Sequence, residues 1–210
     1  MILTIILNWE MTEQLSFVLI KVLFIFLLIW GNNLFANTVY FAGGCFWCTE
    51  KSFENFPGVN EAISGYCNGT KETASYSLVS SGKTDHRECV QIKYDQQATD
   101  LEKLLINYLK SINPLDLDGQ FADRGNQYRI EIYYVNDEQK KIFQKTMDVI
   151  NKKNIYEATI SIPIREFKAF FAAEEYHQDY YKKNPRHYNS YEEGSGRKNF
   201  LNKYIERFNQ

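Results

Sequence analysis

The stretch TVYFAGGCFWCTEKSFENFPG, residues 38–58, decides the fold. A short β-rich run ends at two glycines, and Cys45 follows directly. Apolar residues then recur at positions 46, 47, 53 and 56, a spacing typical of an amphipathic helix, which Pro57-Gly58 ends. The sequence therefore predicts a strand, a tight turn and a helix, with a cysteine at the junction.

The rest of the chain alternates between strand and helix patterns. Further strands are predicted in VNEAISGYC (59–67), which turns at Asn68-Gly69, and in ECVQIKYD (88–95), YRIEIYYV (128–135) and YEATISIPI (156–164). Further helices are predicted in DLEKLLINYLKSI (100–112), DEQKKIFQKTMDVINKK (137–153) and FFAAEEYHQDYYKKNP (170–185). The order β-α-β-β-α-β-α-β-α indicates an α+β fold, a sandwich of sheet and helices. The polar segment 113–128 is a site candidate, because long irregular segments are often functional.

Residues 1–36 differ in composition from the rest of the chain. The apolar run Val22–Trp30 is too short for the roughly 20 residues of a membrane span. With Lys21 before it and Ala36 after it, the segment is typical of a cleaved secretory signal. We therefore expect an exported, periplasmic or secreted protein, with an uncleaved membrane anchor or a buried N-terminal helix as alternatives. The folded domain is expected to cover 37–210.

Charge and composition limit the partners. The formal net charge is −2 and no long basic run is present, which argues against nucleic-acid binding. No oligomerisation surface is evident in the sequence, so a monomer is expected.

Cys45 and Cys48 form the pattern that carries chemistry. Unpaired N–H groups at a helix N-terminus stabilise a thiolate, so a lowered pKa is expected for Cys45. Cys48 lies one turn later, within disulfide reach. Three other interpretations stay open from the residues alone: half of a zinc site, two buried structural cysteines, or a thioredoxin-like dithiol. A non-enzymatic binding module using the pocket around Phe46 and Trp47 is a further alternative.

Five ordered motifs extend this pattern to the C-terminus. GGCFWCTEKSF resembles the signature of the A-type peptide methionine sulfoxide reductases. Four later motifs of that family also have similar stretches in this chain. They are GYCNG, TDHRECVQIKYD, GQFADRGNQYR, and the pair AEEYHQDYYKKNP and SGRKNFL. The resemblance covers the chain from about Thr38 onward. It implies reduction of the S epimer of methionine sulfoxide to methionine.

The resemblance also implies roles for individual residues. Cys45 would attack the sulfoxide sulfur, and a partly buried Glu88 would be the acid that protonates the oxygen. The resemblance further implies that Tyr66 and Tyr128 hydrogen-bond the sulfoxide oxygen. It implies that Asp123 orients the substrate, and that Phe46 and Trp47 form a pocket for the S-methyl group. His177 is expected to be structural.

A second thiol must then condense with the sulfenic acid formed on Cys45. No cysteine follows Cys89, so Cys48 is the expected resolving thiol and Cys67 the alternative. Cys89 is interpreted as a packing residue. The sequence departs from the family pattern at Asn113 and Ile130.

For the fold, we expect a two-layer α/β sandwich with a ferredoxin-like βαβ core, a mixed sheet and an additional C-terminal helix or coil. No metal or organic cofactor is expected. A thioredoxin-like thiol would serve as reductant, and oxidised proteins, peptides or free methionine sulfoxide would be the substrates. A general thiol–disulfide oxidoreductase is the alternative activity.

Overall fold

The computed structural model describes residues 37–209. The predicted N-terminal leader, residues 1–36, lies outside the described residues. The strands are β1 (Thr38–Ala42), β2 (Val59–Cys67), β3 (Arg87–Tyr94), β4 (Gly119–Gln120), β5 (Asp123–Arg124), β6 (Glu131–Tyr134), β7 (Ile164–Glu166) and β8 (Phe170–Ala172). The α-helices are α1 (Phe46–Glu54), α2 (Tyr76–Val79), α3 (Leu101–Leu109), α4 (Asp137–Lys153), α5 (Tyr180–Lys183), α6 (Pro185–Gly194) and α7 (Arg197–Ile205).

Six of these strands form one mixed sheet in the order β7-β6-β1-β3-β2-β8. Neighbouring strands are antiparallel, except that β6 and β7 are parallel. The inner four, β6-β1-β3-β2, together with α1 and α3, give the β-α-β-β-α-β arrangement of a ferredoxin-like core. The predicted α+β fold with a mixed sheet is confirmed.

The two faces of the sheet have different covers. On the helix face, Phe41 stacks on Phe53 and on Tyr108, with ring centroids 5.6 and 4.7 Å apart. On the opposite face, Tyr40 stacks on Phe167 at 3.9 Å. Alternation along β1 therefore decides which side chains pack on the helix face and which pack on the opposite face.

Two predicted elements differ from the structure. The β-rich run 156–164 is not a strand until Ile164, because the Asn151 side chain of α4 binds both the N–H and the C=O of Ile160. The predicted helix 170–185 instead begins as strand β8, which pairs with β2, and becomes α-helical only at Tyr180. Hydrogen bonds to the Asn151 side chain override the local strand propensity at Ile160, and pairing with β2 overrides the local helix propensity in β8.

Within residues 37–209, no helix is long and apolar enough to cross a membrane.

Candidate active site

The turn between β1 and α1 places Cys45 at the helix N-cap. Gly44 has φ +77°, and a Cβ there would come within 2.5 Å of Cβ of Gln120. Glycine is therefore required for the close approach of this turn to the loop that carries Gln120. The Cys45 carbonyl accepts the N–H groups of Cys48 and Thr49, which closes the first helical turn.

Cys45 and Cys48 are free thiols, 6% and 5% exposed, and each shifts the pKa of the other. Interaction with the Cys45 thiol lowers the pKa of Cys48 to about 7, against the opposing effect of burial. The structure therefore favours ionisation of Cys48 over ionisation of Cys45.

The expected lowering of the Cys45 pKa is wrong for this structure. Burial raises the pKa of the Cys45 thiol well above its ordinary value, and the hydrogen bond with Cys48 and the charges of Cys48 and Glu88 raise it further. The first free amide of the helix, Phe46 N–H, donates to Glu88 Oε2 at 3.0 Å. The N–H group at the helix terminus thus hydrogen-bonds the carboxyl group of Glu88 instead of the Cys45 sulfur.

Glu88 lies beneath this terminus on strand β3, directly opposite Tyr66 of β2. Its side chain is 2% exposed, and burial raises its pKa to about 8, although the Phe46 amide opposes the shift. A raised pKa keeps the carboxyl protonated at pH 7, as expected from the sequence. Its role as an acid stays a prediction.

The loop 113–128 brings Asp123 and Tyr128 close to Cys45 and Glu88. Gln120 anchors this loop, because its side chain binds both the N–H and the C=O of Asn113 at 2.7 and 2.8 Å. The charge of Asp123 raises the Cys45 pKa, and burial raises the pKa of Asp123 itself. Burial and the charge of Glu88 raise the pKa of Tyr128. The structure therefore places this predicted site segment beside Cys45.

Tyr66 is buried, and its hydroxyl donates to Glu174 Oε2 at 2.8 Å. The second carboxylate oxygen of Glu174 accepts the Tyr76 N–H at 2.9 Å. Tyr66 is thus held by a carboxylate that the sequence did not single out. Burial raises the Tyr66 pKa above its ordinary value, so the hydroxyl stays protonated.

Phe46 and Trp47 have different surroundings. Phe46 is 1% exposed and packs on Tyr66 and His177, with centroids 5.9 and 5.0 Å apart. Trp47 is partly exposed, stacks flat on Tyr180 at 3.7 Å, and donates its indole N–H to His177 Nδ1 at 3.1 Å. Of the two, Trp47 has the side chain accessible to a substrate.

Three C-terminal residues at the site were missed from the sequence. Tyr188 donates its hydroxyl to Cys48 Sγ at 3.5 Å, and the Tyr191 hydroxyl donates to Asp123. Arg197 is 2% exposed, and its charge lowers the Cys48 pKa. The i,i+3 spacing of the two tyrosines predicts a shared helix face, but no local signal tells what that face covers.

Cys67 and Cys89 are joined by a disulfide, with Cα atoms 5.9 Å apart. They follow Tyr66 and Glu88, which pair across β2 and β3, so their side chains share the opposite face of the sheet. The interpretation of Cys89 as packing alone is wrong, and Cys67 is not a free thiol in this structure. Among the described residues, no group of three His, Cys, Asp or Glu side chains is placed to hold a metal.

The family model of peptide methionine sulfoxide reductase matches residues 37–209. The chain belongs to this family. A curated relative, peptide methionine sulfoxide reductase MsrA 2 of Staphylococcus aureus, is 44% identical over 160 residues, 76% of this chain and 90% of that protein. Peptide methionine sulfoxide reductase MsrA of Bacillus velezensis is 45% identical over 164 residues, 78% of this chain and 93% of that protein.

Solved structures agree with the fold. Methionine sulfoxide reductase A of Corynebacterium diphtheriae superposes with a TM-score of 0.66 at 27% identity, covering 71% of this chain and 75% of that chain. Reduced Mxr1 of Saccharomyces cerevisiae gives 0.66 at 30% identity, covering 71% and 86%. The protein is therefore an oxidoreductase of the A type that reduces methionine sulfoxide.

Proposed function

We propose that the reductase attacks the sulfur of methionine-S-sulfoxide with Cys45, and that Cys48 resolves the resulting sulfenic acid as a Cys45–Cys48 disulfide. The observation that carries this proposal is the pair of free, buried thiols at the start of α1, next to a buried Glu88 that the Phe46 N–H binds and whose pKa is raised. Nucleophile, resolving thiol and acid thus lie within one helix terminus and the strand below it.

Protons follow the hydrogen bonds. Cys45 S–H donates to Cys48, so the Cys48 thiolate takes this proton as Cys45 attacks the sulfoxide sulfur. Glu88 gives its proton to the sulfoxide oxygen, because negative charge develops there as the S–O bond weakens. Methionine leaves, Cys45 holds the hydroxyl as a sulfenic acid, and Glu88 regains a proton from solvent.

Resolution uses the same contact. Cys48 attacks the sulfenic sulfur, an S–S bond forms, and the hydroxyl leaves with a proton as water. A thiol whose pKa lies near ambient pH is the best attacking group, and the Cys48 pKa of about 7 meets this condition. Tyr188, whose hydroxyl donates to Cys48 Sγ, holds this sulfur toward Cys45.

Substrate recognition rests on the aromatic residues. In this proposal Tyr128 and Tyr66 hydrogen-bond the sulfoxide oxygen, and Asp123 orients the substrate. The partly exposed Trp47 contacts the S-methyl group, and Phe46 supports it from the core. Tyr66 must leave Glu174 to reach the oxygen, so Glu174→Gln is expected to change KM or kcat without changing epimer choice.

A single-turnover assay tests this function. Reduced protein lacking residues 1–36 is mixed, without external thiol, with separated S and R epimers of an N-blocked methionine sulfoxide. We expect one equivalent of methionine from the S epimer alone. The matched variant Cys48→Ser should still give that equivalent, but stop at a sulfenic acid detectable with dimedone. Methionine from both epimers, or from neither, would contradict the proposal.

We further propose oxidised proteins, peptides and free methionine sulfoxide as substrates, a thioredoxin-like protein as reductant, and no prosthetic group. Reduction of the oxidised enzyme by thioredoxin, followed by thiol titration, tests the reductant. A monomer is also proposed, and light scattering on the eluting protein would contradict it by giving twice the chain mass.

We also propose export through the segment 1–36. The apolar run Val22–Trp30 supports a cleaved signal, and the Cys67–Cys89 disulfide suits an oxidising compartment. N-terminal sequencing of the mature protein after expression from Met1 tests this, with Asn37 expected as the first residue. Retention of residues 1–36 in the membrane fraction would favour an anchor instead.

A further inference from the structure

A cavity of about 280 Å³ lies beside Cys48, between helices α1, α3, α6 and α7. Cys48 lines it, whereas Cys45, Glu88 and Asp123 do not. This volume is close to the lower end of small-molecule sites, which is about 300 Å³. The cavity is therefore separate from the group of residues assigned to the sulfoxide, and it reaches the second sulfur of the thiol pair.

The walls of the cavity carry an excess of positive charge. Among the described lining residues, the cations are Lys51, Lys110 and Arg197, and the only carboxylate is Glu192. Glu192 is already paired with Lys51 at 2.9 Å. Lys110 forms no ion pair with any described residue, and its nearest aromatic partner, Phe208, is 5.3 Å from Nζ. Lys110 is therefore a lining cation with no anionic partner among the described residues, whereas the charge of Arg197 acts on Cys48 and Asp123.

Arg197 forms part of the inner wall of the cavity. It is 2% exposed, and its Nη1 donates to the Ser111 carbonyl at 2.6 Å. Its Nε and Nη2 are buried, and Nη2 lies toward the Gly44 turn, so a molecule in the cavity does not hydrogen-bond to these two atoms. Arg197 therefore contributes its positive charge to the cavity and no hydrogen-bond donor.

We propose that this cavity binds a small thiol bearing carboxylates, which reduces the Cys45–Cys48 disulfide by attacking Cys48. The inference deepens the proposed function and rests on it, since it requires that disulfide. It adds a low-molecular-weight reductant to the protein reductant proposed above. Lys110 supplies the charge that binds a carboxylate, Arg197 adds electrostatic attraction at longer range, and Asn107 and Ser52 supply neutral polar groups.

The electrons balance in two exchange steps. The thiolate of the first small thiol attacks Cys48 Sγ, the Cys45–Cys48 bond breaks, and Cys45 leaves with the electron pair and takes a proton. A second small thiol attacks the small-thiol sulfur of the mixed disulfide, and Cys48 leaves as a thiolate. Two thiols become one disulfide while the enzyme gains two electrons.

Access selects Cys48 as the attacked sulfur. Leaving-group strength alone would favour attack on Cys45, since a thiol of lower pKa leaves faster. The cavity, however, opens on Cys48 and not on Cys45. Once Cys48 carries the mixed disulfide it has no charge, so it no longer opposes a thiolate on Cys45.

The test compares two thiols that differ in their carboxylates. Enzyme oxidised with diamide, which forms the disulfide without sulfoxide turnover, is mixed with glutathione or with its diethyl ester. We expect glutathione to reduce the enzyme about tenfold faster per thiolate, as electrostatic attraction predicts, and the advantage to shrink with added salt. Acid quenching and mass spectrometry should find glutathione on Cys48.

Variants on helix α3 and its C-cap give the matched control. Lys110→Gln should remove most of the advantage of glutathione over its ester, whereas Lys103→Gln, a substitution of an exposed lysine on the same helix, should keep it. Reduction by the neutral thiol dithiothreitol should be equal in both variants. Equal rates for glutathione and its ester, an unchanged Lys110→Gln variant, or a mixed disulfide on Cys45 would each overturn the inference.

The outcome is separable from that of the proposed function. Single-turnover methionine formation needs no external reductant, so it should be the same in Lys110→Gln and in the unaltered enzyme. If that methionine is absent while glutathione still prefers Cys48, the proposed function fails and the cavity inference stands. If methionine forms but the preference is absent, the cavity inference alone fails.

Discussion

Cys45 and Cys48 lie one helical turn apart at the start of α1, whereas Cys67 and Cys89 lie diagonally across the neighbouring strands β2 and β3 and are joined by a disulfide. The strand pair is fully buried on the sheet face that holds Tyr40. The helix pair is nearly as buried, yet its sulfurs experience the charges of carboxylates and of a guanidinium.

The difference teaches that burial alone does not decide what a cysteine does. Apolar neighbours leave a sulfur inert, whereas charged and hydrogen-bonding neighbours set its ionisation and its reactivity. Tyr66 and Cys67 are adjacent along β2, as Glu88 and Cys89 are along β3, and alternation sends the members of each pair to opposite faces. One pair of strands thus carries both the carboxyl group proposed as the acid and a disulfide crosslink.

The largest effect that sharpens this comparison is expected from Cys45→Ser. The variant lacks the proposed nucleophile, so single-turnover methionine formation should fall on the order of 10⁴-fold or more. Fold and the Cys67–Cys89 disulfide should be unaffected. Quantifying methionine against enzyme checks the rate. A normal burst in Cys45→Ser would transfer the chemistry to another cysteine.

Next in size is Glu88→Gln, which keeps the shape of the side chain but removes its proton. The single-turnover rate should fall by about 10²- to 10⁴-fold. In the unaltered enzyme the rate should decline as pH rises through about 8, because Glu88 then loses its proton. The variant should lack that decline. A rate in Glu88→Gln that still falls near pH 8 would assign the titration elsewhere.

Glu88 also links stability to pH. Its pKa is raised from 4.5 to about 8 in the folded protein, so between these values the folded state holds a proton that the unfolded state lacks. The stability this contributes is complete below about pH 4.5 and is lost as pH rises through 8. Urea unfolding should therefore find that Glu88→Gln loses less stability from pH 5 to pH 9 than the unaltered protein.

The double variant Cys67→Ala/Cys89→Ala tests the structural pair. Its cysteines are 22 residues apart in sequence, and closing a loop of that length stabilises a protein by about 3 kcal/mol. We expect that loss in urea unfolding, together with an unchanged equivalent of methionine in one turnover. A lost equivalent would place the strand pair in the catalytic cycle.

The smallest expected effect belongs to Arg197. Its charge helps to lower the Cys48 pKa, so Arg197→Gln should raise that pKa and slow alkylation of Cys48 by iodoacetamide a few-fold at pH 7. Arg197→Lys, which keeps the charge, should stay closer to the unaltered rate. Equal rates in both variants and the parent protein would remove Arg197 from the account of the thiol pair.

Much of the fold could be predicted because its information is local. Alternation in ECVQIKYD predicts that Val90 and Ile92 lie on one face of the strand and Cys89 on the other, and helix α4 begins and ends at the predicted residues. Strand β8 could not be predicted, since its partner β2 lies more than 100 residues away in sequence. The conformation at Ile160 could not be predicted either, since it depends on a hydrogen bond to the side chain of Asn151, nine residues away.

The site divides in the same way. Cys45, Glu88, Asp123 and Tyr128 sit in motifs, and the structure brings them together. The pKa values of the two thiols could not be predicted, because they depend on tertiary contacts. The Phe46 N–H donates to Glu88, and the charge of Arg197, on a helix distant in sequence, lowers the Cys48 pKa. The Cys67–Cys89 bond likewise depends on the register between β2 and β3, which no single strand pattern contains.

The most direct test of the separation between the two pairs is a redox map of all four cysteines. Enzyme reduced under native conditions is divided into two aliquots. One is alkylated with a light reagent without substrate, the other is alkylated with a heavy reagent after one equivalent of methionine-S-sulfoxide, and each cysteine is quantified by mass spectrometry. We predict that turnover makes Cys45 and Cys48 unavailable for alkylation to the same extent, while Cys67 and Cys89 stay bonded to each other throughout. A turnover that leaves Cys48 free, or that changes Cys67 or Cys89, would contradict the account.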